Sequence, residues 1–425
     1  MENNTTAPFT SYQKFVILIL AVTQFTVILD FMVMSPLGDM LMKSLNLKPS
    51  AFGFAVSAYA FSAGISGLIT AGFADKFDRK KLLLFFYVGF IAGTFFCGLA
   101  HSYYVLLAAR IITGLFGGVI GSISLAIITD LFSLQQRGRV MGFIQMGFGA
   151  SQVLGIPIGL YIANAWGWEA PFLMVASLAC IVAIVISLKL KPIIQHLALQ
   201  HNESVFMHLK QTVIKPDYRV GFLATAFLSI GGFMMMPFGS AFAINNLHVT
   251  TSQLPVLFMI SGISSLIIMP LVGRLSDKTD KFKIFAAATV WLMIICLLYT
   301  NLSVTPLWLV IVFNILMMMG ILSRMIPSSA LTSAVPDMQD RGAFMSINSS
   351  LQQIAGGIAA AIAGAIVVQP TKFSPLIHYN WVGYVVVGVC ALSIWLIYRV
   401  NRIVKRKTAM VAAAKNEPAL NTEGI

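Results

Sequence analysis

Charge is scarce in this chain. Of its 425 residues only 10% are charged and 58% are apolar, whereas a soluble domain carries about 25% charged residues. A water-facing surface cannot be built from that composition. Acids are scarcer than bases, with 15 Asp and Glu against 28 Lys and Arg and a net charge of +13. The cations lie in short turns between apolar runs and near the C-terminus, as in membrane anchoring, so no nucleic-acid partner is expected. Cysteine is also sparse: Cys97, Cys180, Cys296 and Cys390 stand singly inside apolar runs, without metal or redox spacing. No metal site is expected, since His196, His201 and His208 are irregularly spaced and have no neighbouring Cys. The lack of a Walker A turn argues against direct ATP drive, and the lack of a nucleophile–base cluster argues against an enzyme. Met1 to Tyr12 is polar and the run after it has no small-residue cleavage site, so no cleavable signal peptide is expected.

Long apolar runs are what the chain has, each near the ~20 residues needed to cross a bilayer. They read as spans 15–36, 52–73, 82–100, 105–130, 140–163 and 170–188, then 220–245, 254–272, 284–300, 307–333, 344–368 and 382–399. With both termini inside, the inner connections hold 23 of the 28 Lys and Arg. The outer ones hold Lys43, Lys48 and Lys372, while Arg110 and Arg324 fall within spans. That bias predicts cytoplasmic termini, and with no eukaryotic sorting feature the expected location is a bacterial inner membrane. The expected segments are 1–14 (N-terminal segment), 15–188 (first half), 189–219 (linker, with room for a short surface helix), 220–399 (second half) and 400–425 (tail). The basic start of the tail is expected at anionic headgroups, and its end without regular structure.

The halves carry matching charged turns. Ala71 to Lys81, AGFADKFDRKK, and Gly273 to Lys283, GRLSDKTDKFK, align at an offset of 202 residues, which superposes Asp75 on Asp277, Lys76 on Lys278 and Asp78 on Asp280. Such self-similarity is the mark of an internal repeat.

Three charges interrupt the spans. Asp30 shares a helical stripe with Thr23, Thr26 or Val27, and Met34, and a carboxylate there must face the bundle interior or water. It is a candidate proton carrier or, alternatively, a pin between helices. Arg110 needs an acceptor, and Asp30 serves if spans one and four meet. Arg324 has no acid in its own span, so a helix carbonyl, an acidic cargo, or the amides of Asn314, Asn348 and Gln352 are its candidate partners. Further cavity candidates are Gln24, Gln145, Gln152 and Met34, and the seventh-span run Phe233, Met234, Met235, Met236, Pro237 and Phe238 forms either an adaptable apolar wall or a lipid-facing surface. The alternative for each is helix packing. At the inner ends, Asp75, Arg79, Lys80, Asp130 and Arg137 in one half, and Asp277, Lys281, Asp337 and Arg341 in the other, could latch an inward gate or serve topology alone.

With these turns the chain resembles the major facilitator superfamily, and within it the twelve-span drug:proton antiporter group. The family turn G-x-L-A-D-R-x-G-R-R/K-x-x-L is met by AGFADKFDRKKLL, with Asp75, Arg79 and Lys80 at its charged positions. Ala71 and Asp78 stand where the family has Gly; the second copy keeps Gly273 and Asp277, with Asp280 at the internal position. Arg110, in RIITG, matches the fourth-span Arg that the family uses in proton coupling. The Gly-rich antiporter motif of span five is met by GFGASQVLGIPIG, but Ile156 separates Gly155 from Pro157 and breaks the Gly-Pro pair. The resemblance implies an all-α membrane protein with twelve transmembrane helices in two six-helix bundles and a passage between them. It further implies a monomer that carries a small molecule without a cofactor, driven by a proton gradient. The expected function is proton-coupled export of an amphipathic or apolar small molecule by alternating access. The alternatives are a sugar or metabolite carrier, proton-linked or facilitative, and a lipid or lysolipid transporter.

Overall fold

The computed structural model describes residues 9–194, 197 and 205–416. Its helices are α1 (Ser11–Val33), α2 (Gly38–Ser44), α3 (Pro49–Ala71), α4 (Arg79–Gly98), α5 (Tyr103–Leu131), α6 (Leu134–Ala150), α7 (Ile156–Trp166) and α8 (Ala170–Lys189). After these come α9 (Val205–Ile214), α10 (Pro216–Phe233), α11 (Gly239–Asn245), α12 (Leu254–Lys278), α13 (Lys281–Thr300), α14 (Leu307–Ser333), α15 (Arg341–Ile366) and α16 (Tyr379–Asn416). Twelve stretches are long and apolar enough to cross a membrane, two of them made of paired helices, α6–α7 and α10–α11. The chain is an all-α, multi-pass membrane protein; among the described residues the β pairing is one isolated bridge, Val368 to Ile377. The near face is where α1 begins and α16 ends; the far face is opposite.

Local chemistry sets the helix ends. Thr10 closes a capping box over α1: its hydroxyl accepts from the N–H of Gln13, whose side chain accepts from the Thr10 N–H. Asp78 caps α4 by accepting from the N–H of Lys80 at 2.9 Å, and Asp280 caps α13 by accepting from that of Phe282 at 2.9 Å. Each cap also ties its helix to the segment that closes its half: Asp78 accepts from the N–H of Ile193, and Asp280 pairs with Lys405 of α16. The two residues that depart from the family Gly thus do the same work 202 residues apart.

Several elements differ from the sequence expectation. The first span ends at Val33, because residues 34–37 form a turn into α2. The fifth is one continuous helical rod that widens into a π turn at Ser151–Gly155. Pro157 lies two residues beyond that turn and lacks the N–H for a regular helical bond, which accounts for the widening. The last helix passes the expected boundary at residue 399 and runs to Asn416. Its basic stretch meets protein acids, Lys405 with Asp280, Arg406 with Asp217 and Lys407 with Asp337, at 2.9, 2.6 and 2.7 Å. His196, His201 and Glu203 of the linker lie outside the described residues, whereas α9 supplies the expected short helix there.

The halves meet along two seams. In the first, α3 lies on α15: a Cβ on Gly53 would stand 2.7 Å from the carbonyl oxygen of Ala360 and 3.0 Å from the Cα of Gly364, so only glycine allows this approach. The Ser57 hydroxyl donates across this seam to the carbonyl of Gly357 at 2.8 Å. In the second, α12 lies on the π turn and α7. On the far face, the Ser35 hydroxyl donates to the carbonyl of Met236, and Ser240 returns a bond to the carbonyl of Ser35 at 2.8 Å. Towards the near face both α6 and α12 carry exposed apolar side chains. Met141, Phe143 and Met146 of α6 and Leu271 and Leu275 of α12 are exposed, and Cβ atoms on Gly138, Gly142 and Gly273 would meet open space.

Candidate functional site

Asp30 and Arg110 are both fully buried, and an Arg110 guanidinium nitrogen (Nη1) donates to Asp30 Oδ2 at 2.8 Å. Helices α1 and α5 therefore meet as the pairing requires. Thr94 Oγ1 of α4 donates to the other carboxylate oxygen at 3.1 Å, and the Tyr59 ring of α3 lies 4.6 Å from the guanidinium carbon. Four helices thus enclose one ion pair. Arg110 Nε and Nη2 have no hydrogen-bond partner, so the pair is not saturated. A buried pair gains little over an apolar replacement, but losing one partner is costly, so its state of charge weighs on how these helices pack.

Arg324 is buried on α14 and points to the outer helices of its half. Its Nη1 donates to Cys390 Sγ of α16 at 2.9 Å, and its guanidinium lies 5.9 Å from the Phe285 ring of α13. The expected amide partners are not used: Asn314 donates to the carbonyl of Val310 on its own helix. Arg324 Nε and Nη2 are unpartnered. Gly231 of α10 lies beside this guanidinium, and a Cβ added there would be 3.6 Å from Arg324 Nη1.

Other cavity candidates divide. Gln24 Oε1, Gln152 Oε1 and Asn348 Oδ1 are buried without hydrogen-bond partners, as is Ser124 Oγ on α5, which sequence reasoning passed over. Gln24 lies over Gly121, where a Cβ would be 3.7 Å from its Oε1. Gln145 is exposed on α6, and Gln352 is half-buried. Met34 and Phe238 are core residues, Phe238 packing edge-on against Phe52. Met235 is half-buried and accepts at its carbonyl from the Tyr379 hydroxyl. A small apolar cavity between the halves, about 20 Å³, is lined by Phe233, Met236 and Pro237 of the seventh-span run, together with Phe31.

The charged candidates at the near face pair within their own halves. Arg79 donates to Asp130 at 3.1 Å, joining the start of α4 to the end of α5. Lys80 reaches the carbonyl of Ser187, Arg137 those of Phe132 and Thr129, and Lys281 that of Ser276. Asp337 accepts from Lys407 and Tyr218, while Arg341 is exposed at the start of α15. The side chains of Asp75 and Asp277 lie outside the described portion. Asp340, unremarked in the sequence, receives Lys215, His208 and Tyr218. The hydrogen bond from Lys215, then those from His208 and Tyr218, hold its carboxyl well below the usual carboxylate range against the opposing effect of burial.

Sequence reasoning also missed a far-face cluster that joins the halves. Buried Asp39 accepts from Lys43 at 2.8 Å and from Asn245 of α11 at 2.6 Å; Lys43 also donates to Asn245 at 3.2 Å. The available signal was an acid and a base four residues apart, one helical turn, just after the first span.

A profile of the Major Facilitator Superfamily matches residues 20–338 and again 221–421. The chain is similar to multidrug resistance protein 2 of Bacillus subtilis, 23% identical over 397 residues, which covers 90% of this chain and 96% of that protein. It is also similar to a probable sugar efflux transporter of Helicobacter pylori, 24% identical, covering 66% and 71% of the two chains. In fold it is similar to a bacterial homologue of the human lysosomal transporter Spinster, solved in an inward-facing, unoccupied conformation. That likeness has a TM-score of 0.75 at 14% identity and covers 94% of this chain and 99% of the other. The chain belongs to the major facilitator superfamily and is a secondary transporter, a carrier and not an enzyme.

Proposed function

We propose that the chain is a proton-coupled exporter of a small molecule, akin to the drug:proton antiporters, with both termini cytoplasmic and the near face opening inward. The observation that carries this reading is the enclosed Asp30–Arg110 pair with its two unpartnered guanidinium nitrogens. In the outward-open form Asp30 takes up a proton, its contact with Arg110 weakens, and the inward-open form is favoured. Cargo then enters from the cytoplasm or inner leaflet, and the proton leaves. In this scheme the Asp30–Arg110 pair re-forms once the proton has left. A ligand shifts such an equilibrium only by its difference in affinity for the two states, and a pair that forms or breaks supplies such a difference.

Two cargo classes have separate support. The lining of Phe31, Phe233, Met236 and Pro237 matches an amphipathic or apolar molecule in polarity, in a cavity that must widen to admit it, and one relative is named for multidrug resistance. A sugar or similar hydroxylated metabolite fits the unpartnered acceptors of Gln24, Gln152 and Asn348, each of which a hydroxyl group would satisfy, and another relative is named for sugar efflux.

The test is counterflow in sealed proteoliposomes with a pH-sensitive dye inside. The cargo panel holds lipophilic cations, sugars, acidic metabolites and lysolipids. Cargo movement opposed by proton movement supports antiport, and Asp30→Asn should keep cargo exchange while losing its response to the gradient. An Asp30→Asn variant with undiminished proton coupling would overturn the scheme.

A further inference from the structure

Of the 28 Lys and Arg, three lie in the segments read as outer: Lys43, Lys48 and Lys372. They are more than 300 residues apart at the extremes, yet all three line one cavity on the far face, of about 600 Å³. It lies between the α2–α3 connection of one half and residues 364–372 of the other, and among the described residues no acid lines it. Lys43 is committed to Asp39, and its carbonyl accepts from Lys372 Nζ at 3.1 Å. Lys48 is exposed and precedes α3, whose first N–H groups have no side-chain cap. Two cations from opposite halves, and the uncapped start of α3, therefore line one open space. Like charges so placed repel unless an anion lies between them, and oxyanions suit ammonium groups and free helix N–H groups together.

We propose that this cavity is an oxyanion site, taking a phosphate group that bridges Lys48 and Lys372 and so ties the two halves together at the far face. The phosphate is free in solution or part of an anionic lipid headgroup. Occupancy adds a charged tie beside the Asp39–Asn245 bond, on the side that must part when the carrier opens outward.

The experiment is thermal unfolding of the purified chain, which registers any ligand that binds the folded state. One arm adds inorganic phosphate against chloride at matched ionic strength. The other exchanges phosphatidylcholine nanodiscs for discs containing phosphatidylglycerol. A rise in the unfolding midpoint in the first arm identifies free phosphate, and in the second a lipid headgroup. Lys48→Gln alone and Lys372→Gln alone should each weaken the apparent affinity at least about tenfold, since a bridging anion needs both. Both positions are exposed, so the variants should fold. No shift in either arm, or a full shift retained by either single variant, would overturn the proposal.

Discussion

Gly262 of α12 lies against the backbone of Gln152 in the π turn. A Cβ built on Gly262 would stand 2.9 Å from both the carbonyl carbon and the carbonyl oxygen of Gln152, and 3.0 Å from the Cα of Val153. The obstacle is main chain, which cannot step aside as a flexible side chain would. Gly262→Val should therefore force the second seam apart and cost about 1–3 kcal/mol, as overpacking does, with a matching loss of transport. Gly273→Ala on the same helix enters open space and should leave the unfolding midpoint equal or slightly higher, since Ala is favoured over Gly inside a helix. Equal behaviour of the two variants in thermal unfolding would contradict the close approach.

The Asp30–Arg110 pair makes a prediction about coupling between mutations. Arg110→Gln alone leaves a buried carboxylate with only Thr94 as donor, and breaking a buried pair in this way costs about 3–5 kcal/mol. Asp30→Asn with Arg110→Gln removes both charges and should recover most of that loss. A double-mutant cycle on unfolding free energy measures it. Additive losses would mean that the two side chains do not depend on each other.

Much of this was legible in the sequence, and the rest was hidden for physical reasons. Apolar run length finds a membrane helix because the bilayer demands it, so the twelve spans were readable, as was Asp30 facing Arg110 once two buried opposite charges needed partners. The repeat was readable from Asp78 and Asp280, but not their shared role as helix caps, which depends on local backbone angles. Arg324 misled because the amides of Asn314 and Asn348 are near in sequence, while Cys390 is near only in space. The Asp39–Asn245 bond joins residues 206 positions apart, and nothing local in the chain announces it.

Arg324 should behave unlike Arg110. It is a buried cation whose partners are a sulfur and an aromatic face, with no carboxylate hydrogen-bonded to it. Removing such a charge with similar volume retained relieves a desolvation cost that no acid offsets. Arg324→Met should leave the unfolding midpoint equal or higher, and Arg110→Met should lower it. If Arg324→Met instead destabilises the protein to the same degree, the guanidinium is a structural tie. If it folds well but selectively loses anionic cargo in proteoliposome counterflow, Arg324 is a recognition residue.

The near-face cluster around Asp340 gives a pH prediction. Lys215, His208 and Tyr218 lower its carboxyl below the ordinary value of 3.8, and Asp337, held by Lys407 and then Tyr218, is lowered as well. A group whose folded value is depressed adds stability that is fully present above the unfolded value, and loses it as pH falls through the folded one. The two carboxylates should therefore support the fold at neutral pH and cease to do so in strong acid. Lys215 and Lys407 are partly exposed, so screening limits each contribution to about 1 kcal/mol. Asp340→Asn should lower the unfolding midpoint at pH 7, and the gap to the unmodified protein should close as the pH is taken below about 4. A gap of constant size from pH 7 into acid would show that Asp340 acts through packing or its helix end, with its ionisation making no difference.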